Sequence, residues 1–317
     1  MGKLKSALRT VALTTKLPSN GGWYEPNVIN YNLNNEVEIY PMTHGDEILM
    51  HNPDSLFTNN AVSKIITSCC PNINDVNKIL MPDIEALLLA IKIASVNDEL
   101  EVYNICPKCF ENKNTLPEEE VNKLIEEKKL SVEPQTFIFD ARSCLEHMEI
   151  MPDKFSVSIP NKNITVNIKP LTLAENTEYE INDFYIKNLI QRYILENKDV
   201  DNNTELFTNV TQWEENRKKN EDFNKLLIQL DEIVIKMIKS SIKSIIYEGE
   251  ELTDEEDINE LLTLIDTKTF EKIKKTTDEA NKSRLKKAFN CQCKYCGHEW
   301  VNDNINFNFS NFFGKGS

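Results

Sequence analysis

Cysteine is the residue type whose spacing could do chemistry in this chain. Of eight cysteines, four fall in two Cys-x-x-Cys pairs, Cys106/Cys109 and Cys293/Cys296. A Cys-x-x-Cys turn places two thiolates on one side of a metal while its backbone amides soften their charge, and two such turns complete the tetrahedron that zinc prefers. Gly297 follows the second pair, where a residue tolerant of positive φ lets the knuckle turn tightly, and Pro107 lies inside the first. Cys106, Cys109, Cys293 and Cys296 are therefore expected to ligate one structural Zn2+. Cys293 stands 184 positions after Cys109, far outside the contiguous spacing of a zinc ribbon. A metal bridging them would close a very long loop, so that its binding energy becomes tertiary stability. Independent redox pairs, and thiols that pack without metal, are the competing readings. Cys291 and His298 flank the second knuckle as spare ligands, although Cys291-x-Cys293 is too tight for the usual turn.

The other reactive residue types make weaker patterns. A catalytic zinc needs three protein ligands, an open position and a nearby base, and the chain has no His-Glu-x-x-His or His-x-Glu element. Cys144, Glu146 and His147 are neighbours, but residues adjacent on one element seldom face each other, so a Cys/His nucleophile is not expected. Cys69 and Cys70 read as core filling, and His44 and His51, flanking Asp46-Glu47, as solvated or capping groups. The acidic runs Glu118 to Glu120 and Asp254 to Asp257 suit first helical turns, where the helix dipole favours them. Eight glycines in 317 residues leave little scope for a phosphate-cradling loop. The chain is thus expected to be no enzyme.

The elements that must position the cysteines follow from hydrophobic period and turn residues. Residues 1–41 read as an extended N-terminal arm, loop-like from Leu17 to Pro41 apart from a short strand at Glu36 to Tyr40. Residues 42–132 form a helical segment with the first knuckle, including helices at Ala61 to Cys69 and Pro82 to Val96 and a charged helix opened by Thr115 and Glu118. Residues 133–170 read as a small β-sheet of Thr136 to Phe139, Phe155 to Ile159 and Ile164 to Ile168, the last two joined by a turn. Residues 171–289 are expected to form a helical bundle. A capping box at Thr172 and Glu175 opens its first helix, a central helix runs from about Trp213 to Tyr247, and two shorter ones follow, one capped by Thr253 and Glu256, the other over about Lys268 to Ala288. Residues 290–317 hold the second knuckle and a C-terminal strand at Ile305 to Phe309. The fold class is α+β, predominantly helical, with a small antiparallel sheet and a split, zinc-ribbon-like pair of knuckles.

Bulk properties bound the function. With 40% hydrophobic and 27% charged residues the composition is globular, and a net charge of −15 opposes binding to nucleic acid or an anionic membrane. The longest apolar stretch, Leu226 to Ile246, is broken by Asp231, Glu232, Lys236, Lys239 and Lys243, so no membrane span is expected. The N-terminus carries Lys3, Lys5, Arg9 and Lys16 without an apolar signal core, and Met1 to Ser6 fits the loose myristoylation pattern. Cysteines without a signal sequence point to a reducing compartment.

The order of short motifs carries a resemblance. Leu17-Pro18-Ser19-x-Gly21-Gly22, Pro41-Met42-Thr43-x-x-Asp46-Glu47, an isoleucine-rich helix ending at Cys69, Met81-Pro82-Asp83 with its leucine-rich helix, and Cys106-Pro107-x-Cys109 follow one another, then Lys169-Pro170-Leu171-Thr172 and Cys293-x-x-Cys296 before a Phe-rich end. In this order the chain resembles the baseplate hub proteins of T-even-like contractile-tailed bacteriophages, the acidic helical stretch from Asn197 to Asn281 standing apart as an elaboration. The resemblance implies a structural or assembly role in the hub, with other hub or tail proteins as partners. Its implied location is the host cytoplasm during assembly and then the virion tail baseplate. Self-association as a homo-oligomer stays open, and a zinc-ribbon regulatory or nucleic-acid-binding module is the alternative.

Overall fold

The structure, a computed structural model, describes residues 9–50, 59–159, 162–196, 221–286 and 288–302. The expected terminal strand at Ile305 to Phe309, the Met1 to Ser6 pattern, His51 and the start of the expected central helix lie outside these residues. Helix makes up 49% and strand 19%, an α+β composition in which the predominance of helix holds only in part.

The first body is built on β1 (Leu13–Thr15), β2 (Val37–Ile39), α1 (His44–Met50), α2 (Asn60–Cys69) and α3 (Met81–Ser95). From Pro82 to Ile93 nearly every residue of α3 is buried, the mark of a helix enclosed on all sides. Leu87, Leu89 and Ile91 share its core with Ile65 and Ile66 of α2. The segment expected as an extended arm is folded into this core. Leu17, Val37 and Ile39 are wholly enclosed, β1 and β2 pair antiparallel from Leu13↔Ile39 to Thr15↔Val37, and Met151 N donates to Pro18 O at 2.8 Å. Its apolar residues are too sparse to show a period, yet Leu17, Val28, Ile29, Val37 and Ile39 are buried and pack against the same core as α3.

β3 (Glu99–Asn104) leads out of this body to α4 (Pro107–Thr115) and α5 (Glu118–Glu126). The strand expected at Thr136 to Phe139 is β4 (Gln135–Asp140), but it does not join the strands that follow it. It pairs antiparallel with β3, from Glu99↔Asp140 to Asn104↔Gln135, a partner whose own alternation, Leu100 and Val102 inward, went unread. After α6 (Ala141–Glu146) come β5 (Phe155–Ile159) and β6 (Ile164–Ile168), paired as expected.

The helix α7 (Leu173–Glu196) opens on the expected capping box: Thr172 N donates to Glu175 Oε2 at 2.8 Å and Glu175 N to Thr172 Oγ1 at 3.3 Å. Thr172→Ala is accordingly expected to lower unfolding free energy by about 1 kcal/mol in urea titrations; indistinguishable midpoints would refute the box. The other two expected boxes do not form. Pro117 and Asp254 hold the cap positions with no side-chain cap bond.

The expected central helix ends early. α8 (Glu221–Ser241) gives way to β7 (Ile242–Tyr247), which a two-residue turn joins to β8 (Glu250–Leu252). Glu248 and Gly249 both take positive φ, 51° and 90°, the geometry of a tight hairpin turn. β-Branched Ile242, Ile245 and Ile246 suit a strand, and β6 supplies an open edge. The resulting sheet has the order β5-β6-β7-β8, so what reads as pure helix bundle contributes half of it. α9 (Glu255–Leu264) and α10 (Thr267–Asn281) cover its apolar face, Ile273 packing with Val166, Ile168, Ile238 and Ile245. Trp23 lies 5.7 Å from Phe155 and links the N-terminal segment to this second core. α10 stops at Asn281, short of the expected Ala288, and the chain continues to β9 (Phe289–Gln292) and β10 (Glu299–Asn302), an antiparallel hairpin.

Candidate metal centre

Two antiparallel ribbons, β3–β4 and the β9–β10 hairpin, bring the cysteines together. β3 delivers Cys106 to the cap of α4, with Cys109 in its first turn and Phe110 N donating to Cys106 O at 3.0 Å. The β9–β10 loop carries the second pair: Cys293 N donates to His298 O at 2.8 Å, Gly297 N to Cys293 O at 3.1 Å, and Gly297 sits at φ +69°. Aromatic contacts hold one ribbon on the other. Phe139 stacks on Phe289 at 4.4 Å, and Phe137 meets the edge of Trp300 at 5.4 Å.

All four sulfurs lie within 4.8 Å of one another, with Cys106 Sγ to Cys296 Sγ at 3.6 Å and Cys109 Sγ to Cys293 Sγ at 3.8 Å. A tetrahedron with metal–sulfur bonds of about 2.3 Å has sulfur–sulfur edges of about 3.8 Å, whereas a disulfide needs about 2.05 Å. The spacing fits a four-thiolate ion. Cys106, Cys109 and Cys293 are buried among Val121, Leu130, Leu116 and Leu124, and Cys296 is half-buried. Burial pushes the Cys106 and Cys109 thiols up. It also pushes Cys293 up, but N–H groups of Cys296, the Gln135 amide and Tyr295 outweigh it and bring that thiol down to about 6.

The remaining sequence candidates stay apart from this group. Cys291 Sγ points at Phe289 O, and the His298 ring lies against Trp300 at 6.0 Å. Cys144 is wholly buried, which pushes its thiol up to about 12, and its Sγ faces Asp140 O, while His147 Nδ1 donates to Ser143 O at 3.0 Å. That is no thiolate–imidazole pair. Cys69 and Cys70 are buried, with burial raising both thiols. Exposed His44 meets Glu47. Sequence reasoning missed two polar residues. Gln135 touches the second knuckle, and only the strand register could have placed it there. Asp83, in the first turn of α3, is fully buried and accepts from Ser19 N at 2.9 Å and Tyr24 Oη at 2.5 Å.

Among the described residues no helix is long and apolar enough to cross a membrane. Fold and cluster together define a structural class of protein: an α+β body in which thiols from two remote segments converge and no nucleophile is prepared at the candidates read from sequence. The family that fits is specific. The sequence model for the T4 bacteriophage base plate protein matches residues 9–314, and the chain belongs to that family. The match runs through the acidic helical stretch set apart above. Neither a curated protein nor a solved structure matches the chain.

Proposed function

We propose that this baseplate protein is a non-enzymatic structural or assembly component of the baseplate hub of a contractile phage tail, and that Cys106, Cys109, Cys293 and Cys296 hold one structural Zn2+. The observation that carries the baseplate role is the family match over residues 9–314. The order of motifs from Leu17 to the second knuckle favours the hub within it. The sulfur spacing supports the metal, and four thiolates would fill its coordination, leaving no open position for a reacting water. The ion would fasten the C-terminal hairpin to the segment after β3. The partners in this reading are other hub or tail proteins, met in the host cytoplasm and retained in the tail. A net charge of −15 disfavours the nucleic-acid alternative.

Co-expression tests the assignment. The tagged chain is expected to co-purify with hub subunits and not with peripheral baseplate subunits supplied separately; recovery with the peripheral set alone would remove the hub reading. Native mass of the same preparations reports whether the chain self-associates.

A further inference from the structure

Gln135 is 6% exposed and occupies the first position of β4, paired with Asn104 of β3, two residues before Cys106. Its amide spans the second knuckle. Oε1 accepts from Lys294 N at 3.0 Å, and Nε2 donates to Cys293 Sγ at 3.1 Å. Of the two ends of the Gln135 amide only Oε1 can accept from Lys294 N–H, so that bond settles the amide's orientation and turns its N–H groups toward sulfur. A buried N–H held on a ligating sulfur fixes that ligand's orientation. Cys296 N approaches the same sulfur at 3.5 Å. Gln135 therefore stands on the ribbon that delivers the first knuckle while gripping a ligand and the backbone of the second.

We propose that Gln135 is a positioning residue of the metal centre, whose amide sets both the affinity of the site and the electronic character of the Cys293 sulfur bound to the ion. The inference rests on the metal reading above. Outer hydrogen bonds to metal ligands fix ligand orientation, and their loss weakens binding by about tenfold to a hundredfold.

The test uses Gln135→Glu in the full chain, which keeps an acceptor for Lys294 N and replaces the N–H on Cys293 by an anionic oxygen. Wild-type and variant proteins are loaded with Co2+, titrated against a chromophoric chelator, and then displaced with Zn2+. The variant is expected to bind both ions about tenfold to a hundredfold more weakly, with its sulfur-to-cobalt charge-transfer band moved to lower energy as the sulfur loses its donor. Gln135→Met, of similar volume and uncharged, makes the same comparison if the carboxylate prevents folding, and the same band shift is expected. Wild-type affinity and an unmoved band in a folded variant would overturn the positioning role, leaving the amide as a backbone clamp for Lys294. Failure of the wild-type chain to bind either ion would overturn the metal reading itself, and this inference with it.

Discussion

Cys109→Ser is expected to abolish zinc binding and release the C-terminal hairpin from the body of the protein. A crosslink closing a loop of 184 residues stabilises a chain by up to about 5 kcal/mol in the chain-entropy treatment, so the loss should appear as a large fall in thermal midpoint. Limited proteolysis should then cut near β9, whose hairpin in the wild-type protein is held by Phe139 on Phe289 and Phe137 on Trp300. Cys291→Ser is the control. Its sulfur stands outside the cluster, and the variant should retain one zinc per chain. Chelator treatment should bring wild-type protein to the stability of Cys109→Ser and leave that variant unmoved. A wild-type protein that folds to full stability without metal would end the structural-zinc proposal while leaving the family assignment intact.

The second large effect concerns Asp83. Burial lifts its carboxyl from the ordinary 3.8 to about 6, opposed by the hydrogen bonds from Ser19 and Tyr24. The folded chain therefore holds this proton more tightly than the unfolded chain does. The associated stability is fully present below about pH 3.8 and is lost as pH rises through about 6, a total of about 3 kcal/mol for a shift of this size. Other carboxylates impose their own pH dependence, so the quantity to measure is the wild-type unfolding free energy minus that of Asp83→Asn. That difference should fall by about 3 kcal/mol between pH 3.5 and pH 7. Parallel curves for the two proteins over this range would show that Asp83 does not titrate between its two states.

What was legible in the sequence was what is encoded locally. Each knuckle could be read because its two cysteines and its turn residue, Pro107 in the first and Gly297 in the second, lie within five consecutive positions. The convergence of the knuckles was inferred from valence alone, since two half-filled tetrahedra invite each other. Thr172 and Glu175 formed their box because both partners lie within one turn. Residues whose meaning depends on a distant partner were legible only in part. Asp83 after Pro82 matches a first helical turn, which it occupies, but its partners, Ser19 and Tyr24, belong to a segment with no periodicity. Gln135 acquires its role only when β4 pairs with β3 and the C-terminal hairpin stacks on that ribbon. The helix-to-strand change after Ser241 was concealed because Ile242 and Ile245, buried against the sheet's core, also continue the helical stripe of Ile238. The signals that decide it were the isoleucine pair at Ile245 and Ile246 and the Glu248-Gly249 turn.

The great separation of the two knuckles also sets a clock on biosynthesis. When Cys106 and Cys109 leave the ribosome, 184 residues separate Cys109 from Cys293. At about 5–20 residues per second, their partners emerge roughly ten to forty seconds later. During that interval the first pair can offer an ion only half a coordination shell, and the body between the knuckles would begin folding without the proposed zinc. In the zinc reading, a chain interrupted before Cys293 cannot complete the coordination shell, so only a chain that has passed Cys296 can be closed by the ion.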